Sequence, residues 1–358
     1  LAGRQGFFLK FVAALLIVVV CLFILEAAGQ VIFRVKNGYW LFTHEDDQYR
    51  VLFRKHPFLV VEPRPNALYI TKNKIRFSHN SSNFRGKEIE VSKKQYVKRI
   101  AVLGGSSTYC IGVSDNETWP FYLEKELGSG YEVLNLGVPG YTTVEHIIQS
   151  ALNLSDFSPD ICIYYIGWND MRNVHVHGLR SDYSDFHGRS QYNHFLLGSL
   201  RFGNHSMLLV TASNILRKVF VRDPDGVFSI KGTSDQFTDR IDERALGLYK
   251  RNIKLLISLC RAQNIKPIFI PQVLNYEKLT GDRPYGWLPY VKDRDLKKIT
   301  EAYNRALKEV CIEEKADFIE EVLNINYTQQ YFVDNLGHFS PYGNQEFARV
   351  IAGYLTKK

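Results

Sequence analysis

Arg99-Ile-Ala-Val-Leu-Gly-Gly-Ser-Ser-Thr-Tyr109 is the stretch on which the rest of the chain turns. Ile100 to Leu103 is a short apolar run with the length and composition of a buried strand. It ends at Gly104-Gly105, where the missing Cβ atoms let the backbone turn tightly, and a serine pair follows at once. In an open α/β sheet such a corner lies beyond the carboxyl end of a strand, where ligands bind. Two readings stand side by side: an ordinary strand-to-helix turn, or a corner that presents Ser106 as a nucleophile.

Working outward, strands and helices alternate from Lys98 onward. Ile100–Leu103 is the first strand, Tyr131–Leu136 the second, Ile161–Ile166 the third, Lys266–Val273 the fourth and Ala316–Ile319 a short fifth. Between them, Trp119–Leu127 reads as a helix with Pro120 in its first turn. Val144, Ile147, Ile148, Ala151 and Leu152 mark a helical face. So do Leu246, Tyr249, Ile253, Leu256 and Cys260, and again Leu296, Ile299, Tyr303, Ala306 and Val310. A last helix opens at Ser340-Pro341, serine as N-cap and proline in the first helical position. Such alternation predicts a parallel five-stranded sheet with helices on both faces, a three-layer α/β/α sandwich of the flavodoxin-like kind. Residues 171–241 break the rhythm: one helix, about Met207–Phe220, interrupts a long polar loop. Placed after the third strand, this insertion is expected to overhang the site.

Ahead of the body, Phe11 to Leu25 is unbroken apolar sequence, extended by Phe7-Phe8-Leu9 and by Ala27-Ala28. A membrane span needs about 20 such residues, so residues 1–33 read as one transmembrane helix. A cleaved signal peptide is the alternative, but the run is long for one. Glu26 is the one awkward charge in the run; an ionised group at such a depth suggests contact with a partner. Residues 34–97 are aromatic, polar and punctuated by Pro57, Pro63 and Pro65. They read as a β-rich stalk leading to a body at 98–358.

The chain has 358 residues, 45% of them hydrophobic and 23% charged, and a net charge of +8. The positive excess is spread out, with no Lys/Arg block and no nucleic-acid motif, so no nucleic-acid partner is predicted. Five cysteines (Cys21, Cys110, Cys162, Cys260, Cys311) show no Cys-x-x-Cys spacing and read as free, mostly buried thiols. They leave room for a single disulfide among the four outside the apolar run. His175, His177, His187, His194 and His205 crowd the insertion without carboxylate or cysteine partners at ligand spacing, so no metal is predicted. Neither Gly-x-x-x-x-Gly-Lys-Ser/Thr nor Gly-x-Gly-x-x-Gly occurs, which argues against a nucleotide at Gly104-Gly105. No cofactor is expected.

Three more constellations fall where a serine nucleophile needs them. Asn135-Leu-Gly-Val-Pro-Gly-Tyr141 follows the second strand, and Gly140 is placed to offer a backbone N–H to an oxyanion. Gly167-Trp-Asn-Asp170 follows the third strand, and Asn169 adds a side-chain amide. Trp168 is either a substrate platform or a packing residue. Asp334-Asn-Leu-Gly-His338 precedes the last helix, with His338 as proton acceptor and Asp334 as the group that orients its ring. Each has a plainer reading as a turn or a capping loop.

Together and in this order, the blocks resemble those of the SGNH (GDSL-type) hydrolase superfamily, named for Ser, Gly, Asn and His. Gly104-Gly105-Ser106-Ser107-Thr108 is similar to the variant first block with glycine before the serine. The resemblance covers about residues 98–357, and Asn83-Phe84-Arg85-Gly86 resembles a segment ahead of that block in membrane-anchored bacterial members. It implies Ser106, rather than Ser107, as nucleophile and an oxyanion hole from Ser106, Gly140 and Asn169. It also implies an esterase with its body outside the cytoplasm, acting on an O-acylated, often O-acetylated, cell-envelope glycan. Charge alone decides the orientation weakly, since Arg4 and Lys10 face Arg34 and Lys36 across the span. An O-acyltransferase working with a membrane acyl donor, a lipid esterase, and a non-catalytic subunit of a membrane assembly are the alternatives. One departure stands out: the family spaces acid and histidine as Asp-x-x-His, whereas Asp334 lies four residues before His338 and Asn335 takes the expected place. A helical turn would still put positions i and i+4 on one face.

Overall fold

A computed structural model describes residues 2–37, 40–41, 51–171, 179–184, 206–220, 240–281, 284–285 and 288–357. They fall in two units, Leu1–Asp47 with Asn193–Pro224, and Gln48–Tyr192 with Asp225–Lys358.

The larger unit is built on the alternation seen in the sequence. Its strands are β1 (Lys98–Gly104), β2 (Tyr131–Asn135), β3 (Ile161–Tyr165), β4 (Lys266–Ile270) and β5 (Asp317–Phe318). They form a parallel sheet in the spatial order β2-β1-β3-β4-β5. The order reverses at β1, so the crevice between β1 and β3 lies at the topological switch point. Side chains alternate across each strand. Ala101, Leu103, Cys162, Tyr164 and Phe269 pack with residues of α4 (Glu243–Ala262) and α5 (Leu296–Glu313). Ile100, Val102, Ile163, Tyr165 and Ile268 pack with residues of α2 (Trp119–Leu127) and α6 (Pro341–Thr356). The result is the three-layer α/β/α sandwich.

The helix starts follow capping chemistry. Thr118 accepts from Phe121 N–H at 3.3 Å to open α2. Ser340 accepts from Gly343 N–H at 3.1 Å to open α6, as Ser340-Pro341 indicates. Thr142 and Glu145 form a capping box at the start of α3 (Thr143–Leu152). β1 extends past its apolar run at both ends, whereas the other four strands are shorter than theirs. β4 stops at Ile270, and Gln272 and Val273 beyond it bond to Asn304 and the Tyr165 hydroxyl. β5 shrinks to two residues because only Asp317 and Phe318 find partners on β4.

Residues 51–97 lie in the same unit as the sheet. They make two short antiparallel hairpins, Phe53–His56 with Val60–Pro63 and Leu68–Ile70 with Arg76–Ser78. All five cysteines are free, Cys21 exposed and the other four buried. The histidines at 175, 177, 187, 194 and 205 lie outside the described residues, as does most of the 171–241 insertion. Among the described residues no three His, Cys, Asp or Glu side chains gather as a metal site would require.

The smaller unit holds the N-terminal helix, Ala2–Asn37, and the insertion helix, Met207–Phe220. Gly6–Val35 is long and apolar enough to cross a membrane. Glu26 is used inside the chain rather than left for a partner. Its carboxylate accepts from Ser206 Oγ, Met207 N–H and Leu208 N–H at 2.8, 2.9 and 3.0 Å, which caps the insertion helix.

Arg99 opens β1 as a fully buried cation. Its guanidinium donates to Glu132 at 2.7 Å and to the carbonyls of Glu90, Val91 and Phe157 at 2.7–2.8 Å. Arg99→Met would leave Glu132 and three carbonyls without their donor. The expected loss is about 3–5 kcal/mol of unfolding free energy, read as a lower denaturant midpoint at unchanged slope.

Candidate active site

Ser106 is the first residue of a one-turn helix, α1 (Ser106–Tyr109), directly after β1. The two glycines before it are required by close approach more than by backbone angle. A Cβ on Gly104 would lie 2.1 Å from Thr108 Oγ1 and 2.4 Å from the Tyr165 carbonyl. One on Gly105, whose φ is an ordinary −80°, would lie 2.5 Å from Asn169 Nδ2.

The carbonyls around this turn are held by donors from distant segments. Trp119 Nε1 donates to Ser107 O at 3.2 Å, and Asn135 Nδ2 to Thr108 O at 3.0 Å. Arg85 spreads its fork over Tyr109 O, Cys110 O and Val113 O, the last two at 2.6 Å, while its Nε donates to Asp115 at 3.1 Å. Its guanidinium also stacks over the rings of Phe77 and Tyr109. The Asn83-Phe84-Arg85-Gly86 segment thus supplies a clamp on the loop behind Ser106, which a lysine has too few directed donors to replace.

Ser106 Oγ lies 2.8 Å from His338 Nε2, and Asp334 Oδ2 accepts a short hydrogen bond from His338 Nδ1. The four-residue spacing is bridged without a helix: residues 334–338 are a series of bends. Asp334 Oδ1 accepts in turn from the N–H groups of Leu336, Gly337 and His338 at 2.9, 3.1 and 3.3 Å. The loop folds around its own carboxylate, which turns the second oxygen onto the ring. Asn275 secures it from outside: its side-chain amide donates to Asp334 O at 3.1 Å and its backbone N–H donates to Leu336 O at 2.9 Å. Burial pushes the Asp334 carboxyl up, but its hydrogen bond and electrostatic attraction to His338 and the Leu336 and Gly337 N–H groups leave it below its ordinary value. Ser107 does not face the imidazole; its Oγ donates to Gly337 O at 3.4 Å.

Beside Ser106 is a recess of about 10 Å³, lined by Gly105, Ser106, Tyr141, Trp168, Asn169 and Gln272 among others. That is room for about one water-sized group. Asn169 Nδ2 donates to Tyr141 O at 2.8 Å, which orients the amide and leaves its second hydrogen. Gly140 precedes Tyr141 and has φ +83°, a conformation that demands glycine, but it is not among the lining residues. Trp168 lines the recess and packs on the core. A larger cleft of about 490 Å³ near Phe84, Asp115, Phe121 and Glu124 contains none of these residues. Its charged groups are spent on one another, Arg85 on Asp115 and Lys87 on Glu124.

A sequence model of the GDSL-like lipase/acylhydrolase family matches residues 102–346. The chain belongs to that family. The acylhydrolase class, and the resemblance to the SGNH hydrolases drawn from the four blocks, are thereby shown. A search of curated proteins returned no match. Among solved structures, the chain is similar to a crystal structure titled TesA at 14% identity, over 73% of this chain and 99% of that one, with a TM-score of 0.43. It is similar to a putative acylhydrolase from Bacteroides fragilis at 16% identity, over 75% and 91%, with a TM-score of 0.43. It is also similar to a catalytic mutant of an acetylxylan esterase from Geobacillus stearothermophilus at 14%, over 73% and 94%, with a TM-score of 0.40.

Sequence reasoning missed four supporting residues, Asn275, Tyr141 through its carbonyl, and Asp170 with Thr143, because each acts across elements distant in the chain. Asp170 is fully buried behind Asn169 and accepts from Thr143 Oγ1 at 2.6 Å and from Thr143 N–H at 3.2 Å. Thr143 Oγ1 in turn accepts from Asn252 Nδ2 at 2.7 Å. This joins the Asn169 loop to the start of α3. Burial pushes the Asp170 carboxyl up to about 7, against the pull of the Thr143 hydroxyl and N–H. Between about pH 4 and 7 the folded chain therefore holds a proton that the unfolded chain has lost. Stability is expected to fall as pH rises through that window and to level off above it. The span amounts to about 4 kcal/mol. Asp170→Asn should flatten that part of a denaturant-midpoint profile measured from pH 4 to 8.

Proposed function

We propose that this family member is a membrane-anchored serine esterase that removes short acyl groups, acetyl foremost, from a cell-envelope glycan. The observation that carries the hydrolytic reading is the continuous chain of hydrogen bonds Asp334–His338–Ser106 at the switch point of the sheet. In that reading His338 Nε2 takes the hydroxyl proton as Ser106 Oγ attacks the ester carbonyl carbon. Asp334 holds the Nδ1 proton and stabilises the imidazolium that forms. The carbonyl oxygen, now an anion, accepts at the recess from Ser106 N–H and the second amide hydrogen of Asn169; Gly140 N–H is the third donor that the sequence resemblance implies. Each such donor is worth roughly 3–4 kcal/mol. When the intermediate collapses, His338 returns the proton to the leaving alkoxide and the sugar hydroxyl departs. Water, deprotonated by the same imidazole, then attacks the acyl-serine carbonyl; as that intermediate collapses His338 returns the proton to Ser106 Oγ and the carboxylic acid leaves.

The short acyl group rests on the sequence resemblance. The glycan and the extracytoplasmic location rest on the sequence resemblance at Gly104-Gly105-Ser106 and Asn83-Phe84-Arg85-Gly86, and the anchor on the apolar Gly6–Val35 helix.

Two measurements test this reading. A fluorophosphonate probe should label the full-length protein in detergent and fail to label Ser106→Ala; an unlabelled wild type would overturn it. Asp334→Asn keeps the size of the side chain but not the charge that orients the ring. With p-nitrophenyl acetate it should lower kcat about 10³–10⁴-fold with KM nearly unchanged. A loss of tenfold or less would mean that Asp334 is not the third member.

A further inference from the structure

The insertion helix, Met207–Phe220, carries a feature that the esterase reading does not use. It starts at the carboxylate of Glu26, the first charge after the apolar run of the N-terminal helix. Phe7 to Leu25 spans about 28 Å at 1.5 Å per residue, close to the roughly 30 Å of a bilayer's hydrocarbon core. Glu26 therefore falls at the end of the span, at the depth of the headgroups. Gln30 Nε2 also donates to it at 2.7 Å. Gly29 lets the two helices meet, since a Cβ there would lie 2.7 Å from Met207 Cβ.

From that tie the insertion helix runs 14 residues, about 21 Å and too short to cross a bilayer. Its sequence is two-sided. At 100° per residue, positions Leu208, Leu209, Ala212, Ile215, Leu216 and Val219 share one arc. Thr211, Ser213, Asn214, Arg217 and Lys218 share the other with two apolar residues, Met207 and Val210. Leu209 is 50% exposed and Ile215 57%. The N-terminal helix is exposed in the same way, with Leu22, Phe23 and Ile24 all about half exposed or more.

We propose that the insertion helix lies along the membrane interface, with its apolar arc in the acyl-chain boundary. Its arc then continues the lipid-facing surface of the span, as in interfacial amphipathic helices. The partner surface is a phospholipid bilayer. Glu26 and Gly29 act as a hinge point that holds the insertion to the membrane. This rests on the proposed anchoring of the N-terminal helix.

Nitroxide labels test it in the full chain, reconstituted into phosphatidylcholine vesicles with one-third phosphatidylglycerol. The labels go on native Cys21 and, in a Cys21→Ser background, on Leu209→Cys, Ile215→Cys and Thr211→Cys; the four other thiols are buried. Collision with oxygen reports lipid, and collision with a water-soluble nickel chelate reports water. The expected result is oxygen access with nickel protection at 209, 215 and Cys21, and nickel access at 211. Nickel access at 209 and 215 with Cys21 protected would overturn the proposal and leave the anchor standing. Protection of 209 and 215 from both reagents would overturn it too, by placing that arc against protein. Nickel access at Cys21 would remove the anchor itself. Glu26→Ala should raise nickel access at 209 at least several-fold, while Glu26→Gln, which keeps an acceptor oxygen, should change it less.

Discussion

The site depends on the absence of two Cβ atoms. At Gly104 and Gly105 the end of β1 comes so close to Thr108, the Tyr165 carbonyl and the Asn169 amide that a methyl group would overlap with each. That closeness brings the carboxyl ends of β1 and β3 together and sets Ser106 and Asn169 around one small recess. A larger residue would push the serine turn away from the Asn169 loop and open the recess to more than one atom. The geometry therefore follows from packing rather than from the conformational freedom usually credited to glycine.

A turn forced into this position has backbone carbonyls that cannot join a helix or sheet, and buried carbonyls must be bonded. The chain meets that demand with Arg85, Trp119 and Asn135, drawn from three separate segments. Arg85 gives the residues before the sheet a definite use: its fork fixes the loop behind Ser106, and Asp115 balances its charge. The same logic operates at the other end of the site. There the Asp334 carboxylate gathers three backbone N–H groups, and those bonds fix the direction of its remaining oxygen. In both places a charge, buried at Arg85 and half-buried at Asp334, organises irregular backbone, and the rigidity serves whatever the serine does.

Much of this was legible in the sequence. Apolar runs of strand length alternating with 3.6-residue periodicity specify a parallel sheet covered on both faces, because each run must be buried on both sides. Gly-Gly-Ser, Gly-x-Asn-Asp and an aspartate just ahead of a histidine name Ser106, Asn169, Asp334 and His338 by residue type and order. Ser340-Pro341 places the start of the last helix for a local reason, the capping of free N–H groups. The helix Met207–Phe220 could be read from its two-sided pattern alone.

Other features are decided only in three dimensions. The sequence raises a doubt at the Asp334 spacing that a helical turn would answer, yet the loop is not helical and closes through backbone bonds to the carboxylate. Glu26 reads as a charge awaiting a partner, but its partner is the start of a helix 180 residues farther on. Asn275, the Tyr141 carbonyl and the Asp170–Thr143 pair carry no local signature, since a hydrogen bond between remote segments leaves no periodicity and no spacing to detect. Burial, with the nearby Glu145 charge, raises Asp170 to about 7, and both are properties of the packed chain. The amino-acid order determined the layers, the order of the blocks and the chemical groups available. The tertiary structure decided which groups meet, because that depends on approach distances of a few tenths of an ångström that only the assembled sheet edge sets.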